Sequence, residues 1–362
     1  MITIKKRSSW KFIFGLILGL ALCIGVVLHF WPTGKDVTAL QRIHHWHIQT
    51  RWIDLNVSTP SDSAQMEKAL QGTEEWLTGF QNRYRSGSKL DSIIFNANAG
   101  DTVPLDSEAY SLFSFALRFR TFSNGDIDVG VGNLLRAWKI GWRTDSSEVP
   151  SDSLRLALIE DLKTPFYALD SARHVMLILK SQHHFALGAF LEGALLDAVA
   201  ARLKNAGADS WLLDVSGDFA FEGVKPGNVP WVLGVKDPEN PDDLLATVQM
   251  LPGKHSFCTS GDYEQKFTDS TGKKHHHILN PHTGESTEGK HSASVTTSIP
   301  WMNKNTLCTW FMILPLEQIQ KVVAESQGQI ETIIVLDSSK AWISPGLRKN
   351  VTLLKDNYTL LP

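Results

Sequence analysis

The sequence predicts an α+β body behind a single membrane-spanning helix, and three observations carry that prediction. Phe12 to Trp31 is a run of twenty residues without a charge, enough at about 1.5 Å per residue to cross a hydrocarbon core of roughly 30 Å. Beyond it, stripes of helical period alternate with short apolar runs of strand character. No repeat, proline-rich linker or low-complexity tract divides that body, so it reads as one large domain or two lobes sharing a core.

The charge is split in the same way. The chain of 362 residues carries 35 Lys and Arg against 38 Asp and Glu, a formal charge of −3. Residues 1–33 hold Lys5, Lys6, Arg7 and Lys11 and no acid, which leaves 31 basic and 38 acidic residues, or −7, on the rest. All four cations precede the apolar run, so the positive-inside rule places that end in the cytoplasm and the body outside, with Trp10 and Trp31 at the two interfaces. A cleaved signal peptide would have a shorter apolar core and a small-residue exit, and a lipoprotein site at Cys23 would not be preceded by Leu22 or followed by more apolar chain. The expected organisation is a stub and anchor over 1–33, a tether over 34–45 and a catalytic-sized body over 46–362. With 43% hydrophobic residues, three Cys and an acidic body, the composition excludes a disordered tail, a disulfide scaffold and a basic nucleic-acid binder.

Along the body, Trp46, Ile48 and Trp52 alternate with His47, Gln49 and Arg51, predicting a strand across Trp46 to Val57. Met66, Leu70, Trp76 and Leu77 predict a helix from Ser63 to Phe80. A second helix from Glu108 to Phe122 has Leu112, Phe115, Ala116 and Phe119 on one face and stops at Ser123-Asn124-Gly125. The segment Asp126 to Gly141 reads as a loop feeding a helix. A third helix, Ala189 to Asn205, ends before Gly207. The strand Trp211 to Val215 breaks at Ser216-Gly217-Asp218, a turn that places an acid at a ligand crevice. Strands follow at Trp231 to Val235, Ser294 to Thr297 and Thr332 to Leu336, and helices at Asn303 to Leu314 and Leu316 to Ser326. Cys258 and Cys308 read as buried filler, and sequence alone does not pair them.

P-loop, zincin and α/β-hydrolase signatures are absent, and Gly130-Val131-Gly132 lacks the third glycine of a dinucleotide fingerprint. His275 and His276 read as a solvated turn. His277 opens an apolar step into Asn280-Pro281-His282-Thr283-Gly284, a place from which an imidazole can accept a proton near neutral pH. Thr259-Ser260-Gly261-Asp262-Tyr263 is a turn in which backbone N–H groups can approach a ligand. Asn305 and Thr309, four apart on a predicted helix, project two oxygens from one face.

In order, these segments resemble the ApbE family of FAD:protein FMN transferases. Asn82-Arg83-Tyr84-Arg85-Ser86 is similar to S-T-Y-R-x-x-S-E-L, and Gly125-Asp126-Ile127-Asp128 through Trp138 and Gly141 to G-A-F-D-P-T-V-G-P-L-x-x-L-W-G-F-G. Ser216-Gly217-Asp218 resembles G-G-D, Thr259 to Glu264 resembles T-S-G-D-Y-E, and His277 to Gly284 resembles H-I-I-D-P-R-T-G. The resemblance runs on to Ser344-Pro345-Gly346-Leu347-Arg348. It implies a two-lobed, T-fold-related domain and a Mg²⁺-dependent transfer of FMN from FAD to a Thr or Ser hydroxyl of an extracytoplasmic acceptor protein, with release of AMP. It also implies a bacterial inner-membrane location with the body on the periplasmic side.

The resemblance makes His277 the base. It makes Tyr84, Asp126, Ile127, Asp128, Ala186, Glu192 and Ile278 flavin-nucleotide contacts, to which the turns add Asp218, Ser260, Gly261 and Asp262, and it places the metal at Ala189, Asn305 and Thr309. The chain departs from the pattern where D-L-G-G-I-A-K-G becomes Ala186-Leu187-Gly188-Ala189-Phe190-Leu191-Glu192-Gly193. Asn305 stands for the metal-binding Asp, and Asn280 and His282 for an Asp and an Arg. These exchanges motivate the alternatives of a transfer-inactive flavin or nucleotide binding module and of an FAD pyrophosphatase.

Overall fold

The computed structural model describes residues 43–50, 53–140, 147–240, 242–250, 253, 255–299, 304–337 and 340–362. The expected stub, anchor and most of the tether lie outside the described residues. Among the described residues no helix is long and apolar enough to cross a membrane.

The chain begins with β1 (His44–Gln49), β2 (Asp54–Thr59), α1 (Ser63–Leu70), α2 (Thr73–Tyr84), α3 (Lys89–Asn96), β3 (Thr102–Pro104) and α4 (Ser107–Phe122). It continues with α5 (Gly132–Ala137), α6 (Asp152–Leu162), β4 (Tyr167–Asp170), β5 (Val175–Ile178) and α7 (Gly188–Asn205). Strands β6 (Trp211–Val215), β7 (Asp218–Glu222), β8 (Val232–Lys236), β9 (Leu244–Gln249), β10 (Ser256–Gly261), β11 (Lys266–Thr268), β12 (Lys274–His276) and β13 (Ser292–Thr297) follow. The last elements are α8 (Lys304–Ile313), α9 (Leu316–Glu325), β14 (Ile330–Asp337), β15 (Lys340–Ile343), β16 (Val351–Leu353) and β17 (Thr359–Leu360).

A nine-stranded sheet of order β1-β2-β6-β7-β10-β13-β14-β15-β17 forms the frame, antiparallel throughout except for the β15–β17 pair. All six residues of β13 are buried, as a central strand covered on both faces requires. Helix α8 packs on β10 and β13, and α7 on β6 and β7. Three small sheets, β16-β9-β8, β3-β5-β4 and the β11-β12 hairpin, surround this frame. Arg42–Pro362 cluster as one unit, so the two lobes of the expectation are parts of a single body.

Where the prediction misses, a local backbone feature is responsible. The strand expected over Trp46 to Val57 is a hairpin, β1 and β2, paired from His44 with Thr59 to Gln49 with Asp54. The helix expected over Ser63 to Phe80 is two helices, because Gly72 takes a left-handed φ of 74° at the start of α2. Asp62 opens α1 by accepting a hydrogen bond from the Gln65 N–H, the usual end-capping role of Asp. By contrast α4, α7, β6 and the α8–α9 pair fall within a residue or two of expectation, since each has an unbroken apolar period and a clear stop.

Cys258 and Cys308 are not independent filler. They form a disulfide across 50 positions of sequence with their Cα atoms 6.1 Å apart, and both residues are at most 1% exposed. Closing a loop of that length restricts the unfolded chain by about 4 kcal/mol. Reduction, or the double change Cys258→Ala and Cys308→Ala, is therefore expected to lower the urea-unfolding free energy by about that amount, read as a fall in the midpoint without a new transition.

Candidate functional site

The disulfide joins the strand carrying Thr259-Ser260-Gly261 to the helix carrying Thr309, and polar contacts radiate from that joint. Ser260 Oγ and Thr309 Oγ1 are 3.2 Å apart. One turn earlier on α8, the Thr306 hydroxyl donates to the Ala189 carbonyl at 2.7 Å, tying the first turn of α7 to α8. The side chain of Asn305 lies outside the described residues. On the other side of β10, the Thr259 N–H donates to Asp218 Oδ1 at 3.3 Å.

Asp218 follows a two-residue hairpin turn in which Ser216 and Gly217 both have positive φ, the geometry that matches the twist of paired strands. The Gly217 N–H caps Asp214 Oδ1 at 2.9 Å. The Asp218 side chain thus starts β7 at 6% exposure. Burial, and then the charge of Glu192, hold its carboxyl well above the usual carboxylate range. Glu192 lies on α7 three residues after Ala189, on the same helix face.

The loop after α4 reaches the site from the opposite side. Asp126 accepts from the Trp310 indole N–H at 2.8 Å through one oxygen and meets His282 Nε2 at 3.0 Å through the other. Asp128 is engaged in structure: it takes a hydrogen bond from Arg120 Nε at 2.5 Å and from the Gly130 N–H at 2.8 Å. Ile127 and Ile278 are both buried in the main core. Ala186 donates its N–H to the Val129 carbonyl at 2.8 Å, so the Ala186–Gly193 segment rests on this loop. Tyr84 stands apart, with its ring 1% exposed in the same core and its hydroxyl on Glu108 Oε1 at 2.9 Å.

His277 lies just past the end of β12. Its Nδ1 is 3.2 Å from the Glu264 carbonyl, and a carbonyl can only accept, so Nδ1 carries the proton and Nε2 is left as the base. Burial, followed by the neighbouring His276, pushes its pKa down to about 4. His275 and His276 are not the solvated turn expected from sequence, being 3% and 6% exposed. His275 packs between Trp138 and Phe267 with Nε2 on Asp269 at 2.9 Å, and His276 Nε2 donates to the Thr287 carbonyl at 2.8 Å. At Gly261 any side chain would overlap the Tyr263 ring. The Asp262 carboxylate is turned to His291 Nδ1 at 2.8 Å.

The turn after His277 is set by geometry. Asn280 Oδ1 accepts from the His282 N–H at 2.8 Å, an Asx-type turn. Gly284 has φ of 68°, and its carbonyl receives the Trp138 indole N–H at 2.8 Å. Sequence reasoning had no reason to single out Trp310 or Arg120, because both read as core or surface members of helix periods. The positions of Trp310 one after Thr309, and of Arg120 eight before Asp128, acquire meaning only in three dimensions.

Among the described residues no three His, Cys, Asp or Glu side chains are grouped to hold a metal ion. The oxygens nearest the α8–β10 joint are the Ala189 carbonyl, held by Thr306, the Thr309 hydroxyl, on Ser260, and the Asp218 carboxylate, on the Thr259 N–H, with Glu192 acting on Asp218. Their chemistry suits a hard divalent cation, and the repulsion that Glu192 exerts on Asp218 is what such a cation relieves.

The profile of the ApbE family matches residues 45–334. The chain is 27% identical over 303 residues to the FAD:protein FMN transferase of Klebsiella pneumoniae, covering 79% of this chain and 83% of that one. It is 21% identical to the enzyme of the same name from Haemophilus influenzae, over 97% of this chain and 100% of the other. The crystal structure of the ApbE protein from Thermotoga maritima superposes with a TM-score of 0.72 at 23% identity, covering 85% of this chain and 99% of that one.

The low pKa of His277 has a consequence for stability. Its folded value of about 4 lies below the ordinary 6.5, so as pH falls from 6.5 the unfolded chain takes up this proton first. Stability is then lost progressively down to about pH 4 and levels off below it. In His277→Gln the pH dependence of the unfolding free energy between 6.5 and 4 should be shallower by up to one proton, measured by urea titration at a series of pH values.

Proposed function

The chain belongs to the ApbE family, and from that premise we propose that it transfers FMN from FAD to a Thr or Ser hydroxyl of an acceptor protein and releases AMP. One observation carries the reading. Direct contacts link six separated segments that resemble family motifs: Asp126 with Trp310 and His282, Ser260 with Thr309, Thr259 with Asp218, Ala189 with Thr306, and His277 with Glu264.

In the proposed reaction the acceptor oxygen bonds to the FMN-side phosphorus as the bridging P–O bond breaks, and AMP leaves with that electron pair. The hydroxyl proton goes to Nε2 of His277, which the Glu264 carbonyl orients through Nδ1. Asp126, fixed by Trp310 and His282, together with the backbone of Ala186, borders the flavin-nucleotide side. Glu192 stands in the same neighbourhood with a negative charge, so pyrophosphate binding here needs a counter-ion. The Ala189 carbonyl, the Thr309 hydroxyl, Asp218 and Glu192 would hold Mg²⁺, with Asn305 the further ligand that the resemblance implies; when bound, the ion neutralises charge on the pyrophosphate.

The location proposed is the periplasmic face of the bacterial inner membrane, with the segment Phe12 to Trp31 as anchor. The buried disulfide supports that placement, since such bonds persist in oxidising compartments.

With FAD, Mg²⁺ and an acceptor peptide containing Thr, flavin should become covalently attached and AMP should appear in equal amount, by mass spectrometry and chromatography. His277→Ala should slow transfer by 10²-fold or more, and the acid limb of the wild-type rate should fall near pH 4 rather than 6.5. Transfer absent with every divalent cation tried would reject the reading. AMP released with no acceptor present would replace it with a pyrophosphatase.

A further inference from the structure

A cavity of about 510 Å³ is lined by Asp262 and Tyr263 and bordered by Lys266, Lys274 and Lys290. None of the residues expected to contact flavin lines it except Asp262. Its charge balance is unusual. Lys290 is only 8% exposed, yet among the described residues it has no ion pair or hydrogen bond. Burying an ammonium without a partner is costly, and burial pushes the pKa of this lysine down.

Two further cations face the same space. On the β11–β12 hairpin, Lys266 pairs with His276 and Thr268 with Lys274; alternation along each strand puts Lys266, His276 and Lys274 on one face. Neither Lys266 nor Lys274 has an ion pair among the described residues. Three acids also line the cavity: Asp262, paired with His291 at 2.8 Å, Glu288, paired with Lys273 at 3.0 Å, and Glu239. Both nitrogens of His276 are used by the backbone, at the Thr287 carbonyl and the Ile278 N–H. Among the described residues the cavity therefore holds three ammonium groups without an ion pair, one of them desolvated.

We propose that this cavity is a binding site for a phosphate-type oxyanion, with Lys290 as its buried anchor and Lys266 and Lys274 closing over it from the hairpin. A dianionic phosphate satisfies several ammonium groups at once, which a single carboxylate does less well, and lysines act on phosphate as point charges. The volume admits either free phosphate or the phosphate of a mononucleotide. The cavity shares Asp262 with the residues expected to contact flavin, and its occupancy is read without FAD.

The test is calorimetric titration of the full-length protein with inorganic phosphate at neutral pH and low salt, and in parallel with AMP. One phosphate per chain is expected to bind, with affinity at least tenfold weaker in Lys290→Met and retained within a few-fold in Lys290→Arg. If Lys290→Met does not fold, the double variant Lys266→Gln with Lys274→Gln carries the same expectation of weakening. AMP binding tenfold tighter than phosphate, and lost in the same variants, identifies a nucleotide as the ligand; equal or weaker AMP binding identifies the free anion. No phosphate or AMP binding to the wild type, or binding that none of these variants weakens, overturns the proposal.

Discussion

The placement of α8 against β10 is the constraint on which the candidate site depends. Each contributes one half-cystine to the Cys258–Cys308 bridge, and each carries a nearby hydroxyl to the other, Ser260 to Thr309. Once α8 is fixed there, its remaining faces decide the rest. Thr306 meets the first turn of α7, and Trp310 reaches the loop after α4. A shift of α8 by one residue, a rotation of about 100°, would break all three contacts together. The site is thus one joint with several arms, and the apolar interior around it, in which Leu307, Phe311 and Met312 are fully buried, makes the joint rigid.

A second buried polar centre holds the other wall. Asp91 is fully buried and accepts from the Gly87 and Phe185 N–H groups, from Arg136 and from His184. A buried carboxylate is tolerated when its lone pairs are filled in this way. These contacts draw α3, α5 and the His184-Phe185 segment together, just before the chain enters Ala186–Gly193. Gly132 makes the approach possible, since any side chain there would collide with the His184 carbonyl. Ala189 is thus tied to α8 by the Thr306 hydroxyl, and the chain entering that segment is held at Phe185 by Asp91.

Much of the frame was legible because periodicity records burial: α4, α7, β6 and α9 each bury one face, and one face is what a sequence pattern displays. The hairpin at Thr50 to Ile53 and the break at Gly72 were hidden, because neighbouring apolar residues continue the period across a turn that only backbone geometry reveals. Long-range pairings left still less trace. Nothing within a few residues of Cys258 indicates Cys308, and His275 is polar by type yet buried because Trp138, Phe267 and Asp269 enclose it. Family resemblance located Asp126 and His277, but the partners that orient them, Trp310 and the Glu264 carbonyl, belong to other segments.

The departures from the family pattern differ in weight according to what each position does. At Asn280 the requirement is an oxygen that accepts the His282 N–H, and an amide supplies it as well as a carboxylate. At His282 the requirement is a donor to Asp126, which imidazole meets in place of guanidinium. These positions are geometric, and neutral or smaller substitutes serve them. Glu192 and Asn305 are different, because there the family's residues act through charge. Against the family pattern Glu192 replaces a lysine, a change of two negative units near Asp218, while Asn305 replaces an acid, a change of one unit in the opposite direction, so the two do not cancel. For the cation proposed at this site, Glu192 supplies a second carboxylate near Asp218, and their repulsion, which holds the Asp218 pKa up, is relieved by a proton on Asp218 or by a bound cation.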